Sequence, residues 1–268
     1  MADWTLLNSL LKYATYGGSA IASASAANTK GNWVQIVAST GRSIDSITLH
    51  PDYGDGIYDY LFDIAVGAAG SEVVIVSNIL ISTMSSYSYR GSTFIFPISI
   101  PAGTRISMRC QHNTDNAARN MYFNLSTFHN PYLDQKLPPP VTYGANTADS
   151  GGTQIDAGAT PYTAGAYVQL TASTTRYHKG VVFCFGNISN AARTAGMFTV
   201  DLGIGGAGAE VVKLQSIVGV PAANTPPTPF CSIFYPMDIP IGSRLAIRCS
   251  SGITDATDRL LDVVVYCF

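Results

Sequence analysis

One stretch of this sequence occurs twice. The first copy reads Phe96-Pro-Ile-Ser-Ile-Pro-Ala-Gly-Thr-Arg-Ile-Ser-Met-Arg-Cys110, and the second reads Tyr235-Pro-Met-Asp-Ile-Pro-Ile-Gly-Ser-Arg-Leu-Ala-Ile-Arg-Cys249. In each copy the Pro-x-Gly unit is a turn, because Pro pre-sets φ and Gly relaxes it. The alternation that follows predicts a half-buried β-strand. It puts Ile106, Met108 and Cys110 on one face, with Leu245, Ile247 and Cys249 as their equivalents. A repeat on this scale means two copies of one unit, and 268 residues suffice for two ordinary domains.

The repeat extends in both directions. Thr15-Tyr-Gly17 and Thr142-Tyr-Gly144 open the copies, and Trp33 to Arg42 and Tyr167 to Arg176 are matching strands. Tyr60 to Val74 and Met197 to Val212 each read as strand, Gly-rich turn, strand. The copies close at Phe128 and Phe268. The spacing between equivalents grows along the chain, so insertions have entered loops and left the strands alone, which a sandwich tolerates. The expected fold is all-β, with two tandem antiparallel β-sandwich domains of jelly-roll type arising from an internal duplication. Repeat 1 is placed at 15–130 and repeat 2 at 142–268. The Pro-rich linker, 131–141, carries three consecutive prolines that favour a semi-rigid polyproline spacer. Residues 1–14 form an unrepeated arm. Asp3 is its N-cap, and Leu6, Leu7, Leu10 and Leu11 share one face of a short helix. This arm straps onto its own domain or docks on a neighbouring subunit.

Composition narrows the partners. Charged residues make up 12% of the chain, about half the usual share of roughly 25%. The net charge of −2 supplies no basic field for nucleic acid. No apolar run reaches the roughly 18 residues that span a bilayer, and the N-terminus lacks the basic start of a secretory signal. Cys110 and Cys249 read as buried thiols acting as small hydrophobes. Cys184, Cys231 and Cys267 belong only to the second copy, and their spacing leaves a disulfide among them open. A reduced chain made in the cytoplasm is the default expectation.

The charges say more about the molecule than any motif. The only two glutamates, Glu72 and Glu210, are repeat equivalents. Asp63 pairs with Asp201, Arg105 with Arg244 and Arg109 with Arg248. A charge kept in both copies does a job that both domains share: an ion-pair lattice on the outer face of a sheet, or twin polar sites such as a sugar-binding cluster. Gly203-Ile-Gly205-Gly-Ala-Gly208 fits the dinucleotide fingerprint by spacing alone. It lies in a hairpin with no helix after it to hold a pyrophosphate, so it is read as a turn. Asp52-Tyr53-Gly-Asp55-Gly-Ile-Tyr58-Asp59-Tyr60 is a polar, aromatic segment found only in copy one and reads as an exposed loop. With Tyr87, Tyr89 and Arg90 it is the first place to look for a sugar or calcium ligand, although its spacing is not that of an EF-hand. No catalytic, cofactor-binding or metal-binding motif is present in the sequence, and an enzyme is not expected.

The pattern D-[IL]-x-[VI]-G-x-x-G-x-E-V-V followed by [FY]-P-x-x-I-P-x-G-[ST]-R-x-x-x-R-C is carried by Asp63 to Val74 with Phe96 to Cys110, and by Asp201 to Val212 with Tyr235 to Cys249. It resembles repeats in structural proteins of tailed-bacteriophage particles. That resemblance implies a non-enzymatic virion component, a capsid decoration, head-fibre or tail protein. Such a protein is made in the host cytoplasm and assembles with itself and with other virion proteins, with no nucleic acid, no cofactor and no membrane insertion. A tandem carbohydrate-binding module or adhesin contacting host surface glycans is the alternative, motivated by the 15 tyrosines and the Asp52–Tyr60 segment.

Overall fold

The computed structural model describes residues 14–54, 58–83, 94–114, 119–128, 137–158, 160–186, 196–220, 231–252 and 260–268. Of the arm and helix expected in residues 1–14, all but Ala14, which begins the first strand, lies outside them, as do Asp55, Tyr87, Tyr89 and Arg90. Every regular element among the described residues is a strand. In the first half these are β1 (Ala14–Ala22), β2 (Val34–Val37), β3 (Ser46–Gly54), β4 (Asp59–Val66), β5 (Val73–Ser82), β6 (Phe94–Phe96), β7 (Ile106–His112) and β8 (Asn120–Phe128). They form two antiparallel sheets, ordered β1-β8-β3-β6 and β2-β7-β4-β5, which is the strand order of a jelly roll.

The second half repeats the plan. After β9 (Val141–Tyr143) come β10 (Thr153–Asp156), β11 (Val168–Thr171), β12 (His178–Gly186), β13 (Gly196–Ile204), β14 (Val211–Val220), β15 (Tyr235–Ile239), β16 (Leu245–Ser251) and β17 (Leu260–Cys267). Its sheets run β10-β17-β12-β15, with β9 also on β17, and β11-β16-β13-β14. The repeated turns take the backbone that their residues require: Gly103 and Gly242 have φ of 76° and 80°. The glycine-rich segment is the β13–β14 hairpin turn, with Gly205 and Gly208 at positive φ like Gly67 and Gly70 in copy one.

The cores form by alternation. In β4 the side chain of Phe62 points inward to Phe123 with ring centroids 4.7 Å apart, and Asp63 points outward. In β17 the pattern breaks: Leu261, Val263, Val265 and Cys267 enter the core of their own sandwich, yet Val264, Tyr266 and Phe268 on the opposite face are also buried. These three, with Val182 and Cys184 of β12, join the hydrophobic core of the first domain. The outer face of one sandwich therefore closes the open side of the other, between β5 and β6. Tyr266 packs edge-on to Phe96 of β6 at 5.4 Å. Its hydroxyl accepts from the Leu80 amide at 3.0 Å and donates to the Asn78 carbonyl at 2.9 Å, both on β5. Gly186 is the place where a Cβ would meet the Leu80 side chain at 2.6 Å, so a larger residue there would wedge the two domains apart.

Of the Pro-rich linker, residues 131–136 lie outside the described residues. In its remaining part Leu137 packs onto the first core, and Arg176 donates to the Pro139 carbonyl. Burying Val182, Val264 and Phe268 contributes roughly 1.5–3 kcal/mol each. Relative domain motion is the default only where the interface is small and polar.

The repeat equivalent of Leu80 has no such cover. Leu80 lies opposite Leu61, two residues before Asp63, and Ile217 of β14 lies opposite Thr199, two residues before Asp201. Leu80 is fully buried and Ile217 is 60% exposed.

Tyr266→Phe removes the hydroxyl and leaves the Leu80 amide and the Asn78 carbonyl without it. The expected loss is about 1–3 kcal/mol of stability, read from the denaturant midpoint. A second prediction concerns His178, which is buried at the start of β12 with Nε2 3.2 Å from the Tyr143 hydroxyl. Burial, helped by the Arg176 charge, pushes its pKa down to about 4. The proton then binds the unfolded chain more readily, so this contribution is complete above about pH 6.5 and is lost as pH falls towards 4. Thermal midpoints of wild type should fall across that window, and His178→Gln should remove the part of the fall lying above the carboxylate range.

Candidate functional site

The repeated charges lie on the outer faces of the sheets β2-β7-β4-β5 and β11-β16-β13-β14, where they form the same network twice. Arg105 meets Glu72 at 3.0 Å, and Arg244 meets Glu210 at 2.7 Å. Each arginine also reaches the first glycine carbonyl of the hairpin turn, Gly67 or Gly205, at 3.2 Å. Each donates through Nε to a glutamine on the neighbouring strand, Gln35 or Gln169, at 2.9 Å. Arg109 bonds Asp63 and lies over the Trp33 ring, and Arg248 bonds Asp201 and lies over the Tyr167 ring. Burial works against the charge on Glu72, but hydrogen bonds from its own amide, Arg105 and Gly70 prevail and lower its pKa. The Arg244 guanidinium does the same for Glu210.

Asp63 carries more than its counterpart. It accepts from Arg109 at 2.9 Å, from Lys30 at 2.9 Å and from the Asn78 amide at 3.0 Å. Asp201 accepts from Arg248 at 3.0 Å and from Gln215 at 2.8 Å. Burial lowers the pKa of Lys30, against the pull of Asp63. These side chains bond one another and neighbouring backbone, which ties strands together.

The segment read from sequence as an exposed loop, Asp52 to Tyr60, is placed differently. Its start belongs to β3 and its end to β4, and Asp59 and Tyr60 are buried. Tyr60 stacks between Phe62 and His112, with centroids 5.7 and 6.0 Å away. Tyr58 is half-buried and lies beneath the Arg119 guanidinium at 4.9 Å. Tyr60 therefore fills the core while Tyr58 stays partly exposed, and the side chains of Asp52 and Tyr53 lie outside the described residues.

Asp59 nonetheless helps to line a site that sequence reasoning missed. A polar cleft of about 510 Å³ opens where the domains meet, with Asp59 on the first-domain side. The second domain supplies Asn146, Asp149, Thr153, Gln154 and Asp262. The Asn146–Gly152 loop forms one wall and is stiff for local reasons. Asn146 and Gly151 exchange backbone hydrogen bonds at 3.0 and 3.2 Å. Asp149 accepts from the Asn146 amide at 2.6 Å and from the Gly151 N–H at 2.8 Å. The loop is also clamped to the first domain, since Gln111 donates to the Thr147 carbonyl at 2.8 Å and Ser150 donates to Asn28 at 2.8 Å. Asp262 is held by the Gly152 amide at 3.0 Å, and Asp59 accepts from the Ser82 hydroxyl.

Among the described residues, the lining carries three carboxylates and no Lys, Arg or His. Such a cleft repels anions and accepts hydrogen bonds from hydroxyl, amide or amine donors. Among the described residues, no group of three or more His, Cys, Asp or Glu is placed to hold a metal ion. The signal that was available in the sequence was Asn146-Thr-Ala-Asp-Ser-Gly-Gly152, an Asx-turn composition without a counterpart in copy one.

The ion-pair network predicts an asymmetry between the copies. Asp63→Ala strips Lys30 and Arg109 of their shared counter-charge and should cost about 3 kcal/mol. Asp201→Ala should cost less, because no buried lysine depends on it. Urea denaturation of the two variants checks the order.

No protein-family model and no curated protein sequence matches the chain. Among solved structures it is similar to PNGase F, a glycosylasparaginase from Flavobacterium meningosepticum, at 10% identity and TM-score 0.46, over 96% of both chains. A recombinant N-glycanase F gives 9% identity and TM-score 0.48 over 95% of both chains. The tandem CBM22-1–CBM22-2 domains of Xyn10C from Paenibacillus barcinonensis give 8% identity and TM-score 0.27, over 96% of this chain and 90% of that one. These likenesses are too distant to bear on chemistry, and what is established for this chain is two jelly-roll β-sandwiches packed face to edge.

Proposed function

We propose that this chain is a non-catalytic binding protein that holds a hydroxyl-rich ligand, a neutral or amino-sugar glycan, in the cleft between its two sandwiches. The observation carrying this reading is the cleft itself: about 510 Å³, walled by both domains and lined by carboxylate, amide and hydroxyl groups, with Asp149 and Asp262 held by the Gly151 and Gly152 backbone amides. Pre-set acceptors of this kind bind sugar hydroxyls without an ordering cost at the moment of association. The carboxylates make uronic and sialic acids poor ligands.

A glycan array tests this directly. Neutral and amino-sugar glycans should bind and acidic ones should not, and Asp149→Asn with Gln154→Ala should weaken binding at least tenfold while leaving the fold intact. Silence across the array, or binding that survives both substitutions, would retire the cleft.

A second reading, a structural component of a tailed-bacteriophage particle, draws support from a different place. Val211, Val212 and Ile217 of the edge strand β14 are exposed together with Met197 of β13, and apolar rows of this kind mark association surfaces. Under this reading the purified chain forms a closed oligomer in light scattering, and Ile217→Lys returns it to a monomer. A monomeric wild type at high concentration would count against it.

A further inference from the structure

We infer that Cys184 and Cys231 are a disulfide-forming pair that locks the segment before β15 onto β12 at the domain junction. Of the five cysteines, these two lie directly opposite each other, in an antiparallel bridge. The Ser232 amide donates to the Phe183 carbonyl at 2.9 Å, which makes Cys184 and Cys231 a non-hydrogen-bonded pair. In such a pair the Cα atoms stand about 4.5 Å apart and the side chains approach most closely. That spacing falls inside the range of about 4.4–6.8 Å that a disulfide spans.

The chain around the pair is held in place. Ser232 also accepts from the Phe183 amide at 3.0 Å through its hydroxyl. Cys184 faces the first domain beside Tyr266 and Val182, and Cys231 belongs to the same buried cluster. Cys110, Cys249 and Cys267 lie in other strands, β7, β16 and β17, and none is bridged to a cysteine in the registers of those strands. The pair is also confined to copy two. By strand register Val182 answers Thr48, and two residues further on Cys184 stands where copy one has His50.

The chemistry balances with a low-molecular-weight disulfide such as oxidised glutathione as the oxidant. One cysteine thiolate attacks the small disulfide, forms a mixed disulfide and expels one small thiol. The second cysteine thiolate then displaces the other small thiol. Two protein S–H bonds are lost and one S–S bond is formed, and the two electrons and two protons end on the small thiols. Both cysteines are buried in the folded protein, so exchange takes place while the chain folds. The bond closes the loop that carries β13 and β14, and it stabilises by restricting the unfolded chain.

The experiment uses the full chain, denatured and refolded in a glutathione redox buffer so that burial does not limit access. Trypsin cuts after Lys179, Arg193, Lys213 and Arg244, among others, and leaves each of the five cysteines in its own peptide. The expected product is two hydrogens lighter than the reduced chain and yields one linked pair, the peptides holding Cys184 and Cys231. Its thermal midpoint should be higher than that of the reduced chain. Cys231→Ser should abolish the link, while Cys267→Ser should leave it. A chain that stays reduced in fully oxidised buffer, a link that includes Cys110, Cys249 or Cys267, or an oxidised form with a lower midpoint would each overturn the inference.

Discussion

The burial of one sandwich's outer face against the open side of the other governs how the molecule is put together. Val182, Val264, Tyr266 and Phe268 enter the first core while Val181, Phe183, Val263 and Val265 fill the second, so β12 and β17 are covered on both faces. The hydrophobic gain is non-directional, so it alone would let the domains slide. Direction comes from the Tyr266 hydroxyl, which binds both a donor and an acceptor on β5 and so fixes the register of one domain on the other. The Asn146–Gly152 loop, hung from Gln111 and Asn28, can only stand where it does because that register is fixed. The cleft follows from the docking and is a property of neither sandwich alone.

The repeated charges answer a different need. A jelly-roll sheet with one face on the core and one towards solvent must still hold its strands in register on the wet side. Arg105 and Arg244 do so by gripping a hairpin-turn carbonyl, a carboxylate and a glutamine at once, a use that suits the planar donor fork of arginine. Gly203 shows how closely the second copy is fitted: a Cβ there would lie 2.7 Å from the Tyr167 ring that supports Arg248. Copy one has Ala65 at the corresponding place and Trp33 beneath its arginine. The same job is done with a different ring, and that is how two diverged copies keep one architecture.

The two copies also show how a shared fold can support unequal surfaces. Leu80 lies under the second domain, while its equivalent Ile217 faces solvent. The acceptor face is just as unequal. Copy one puts Thr48 and His50 on the strand where copy two puts Val182 and Cys184.

Much of this was legible in the residues. The duplication, the strand alternation, the Pro-x-Gly and Gly-rich turns and the outward charges follow from local sterics and from period-two burial, which neighbouring residues determine among themselves. One long-range fact was written there too. Leu260-Leu-Asp-Val-Val-Val-Tyr-Cys-Phe268 is apolar almost throughout where its counterpart Asn120-Met-Tyr-Phe-Asn-Leu-Ser-Thr-Phe128 alternates, and a strand without alternation is one covered on both faces. Other features were decided only by tertiary structure: the burial of Asp59 and Tyr60, the opposition of Cys184 and Cys231, and the meeting of Asp59 with Asp149 and Asp262 around one cleft. Each of these joins positions far apart in the chain, and their proximity depends on how two sheets and two domains dock, which no local pattern encodes.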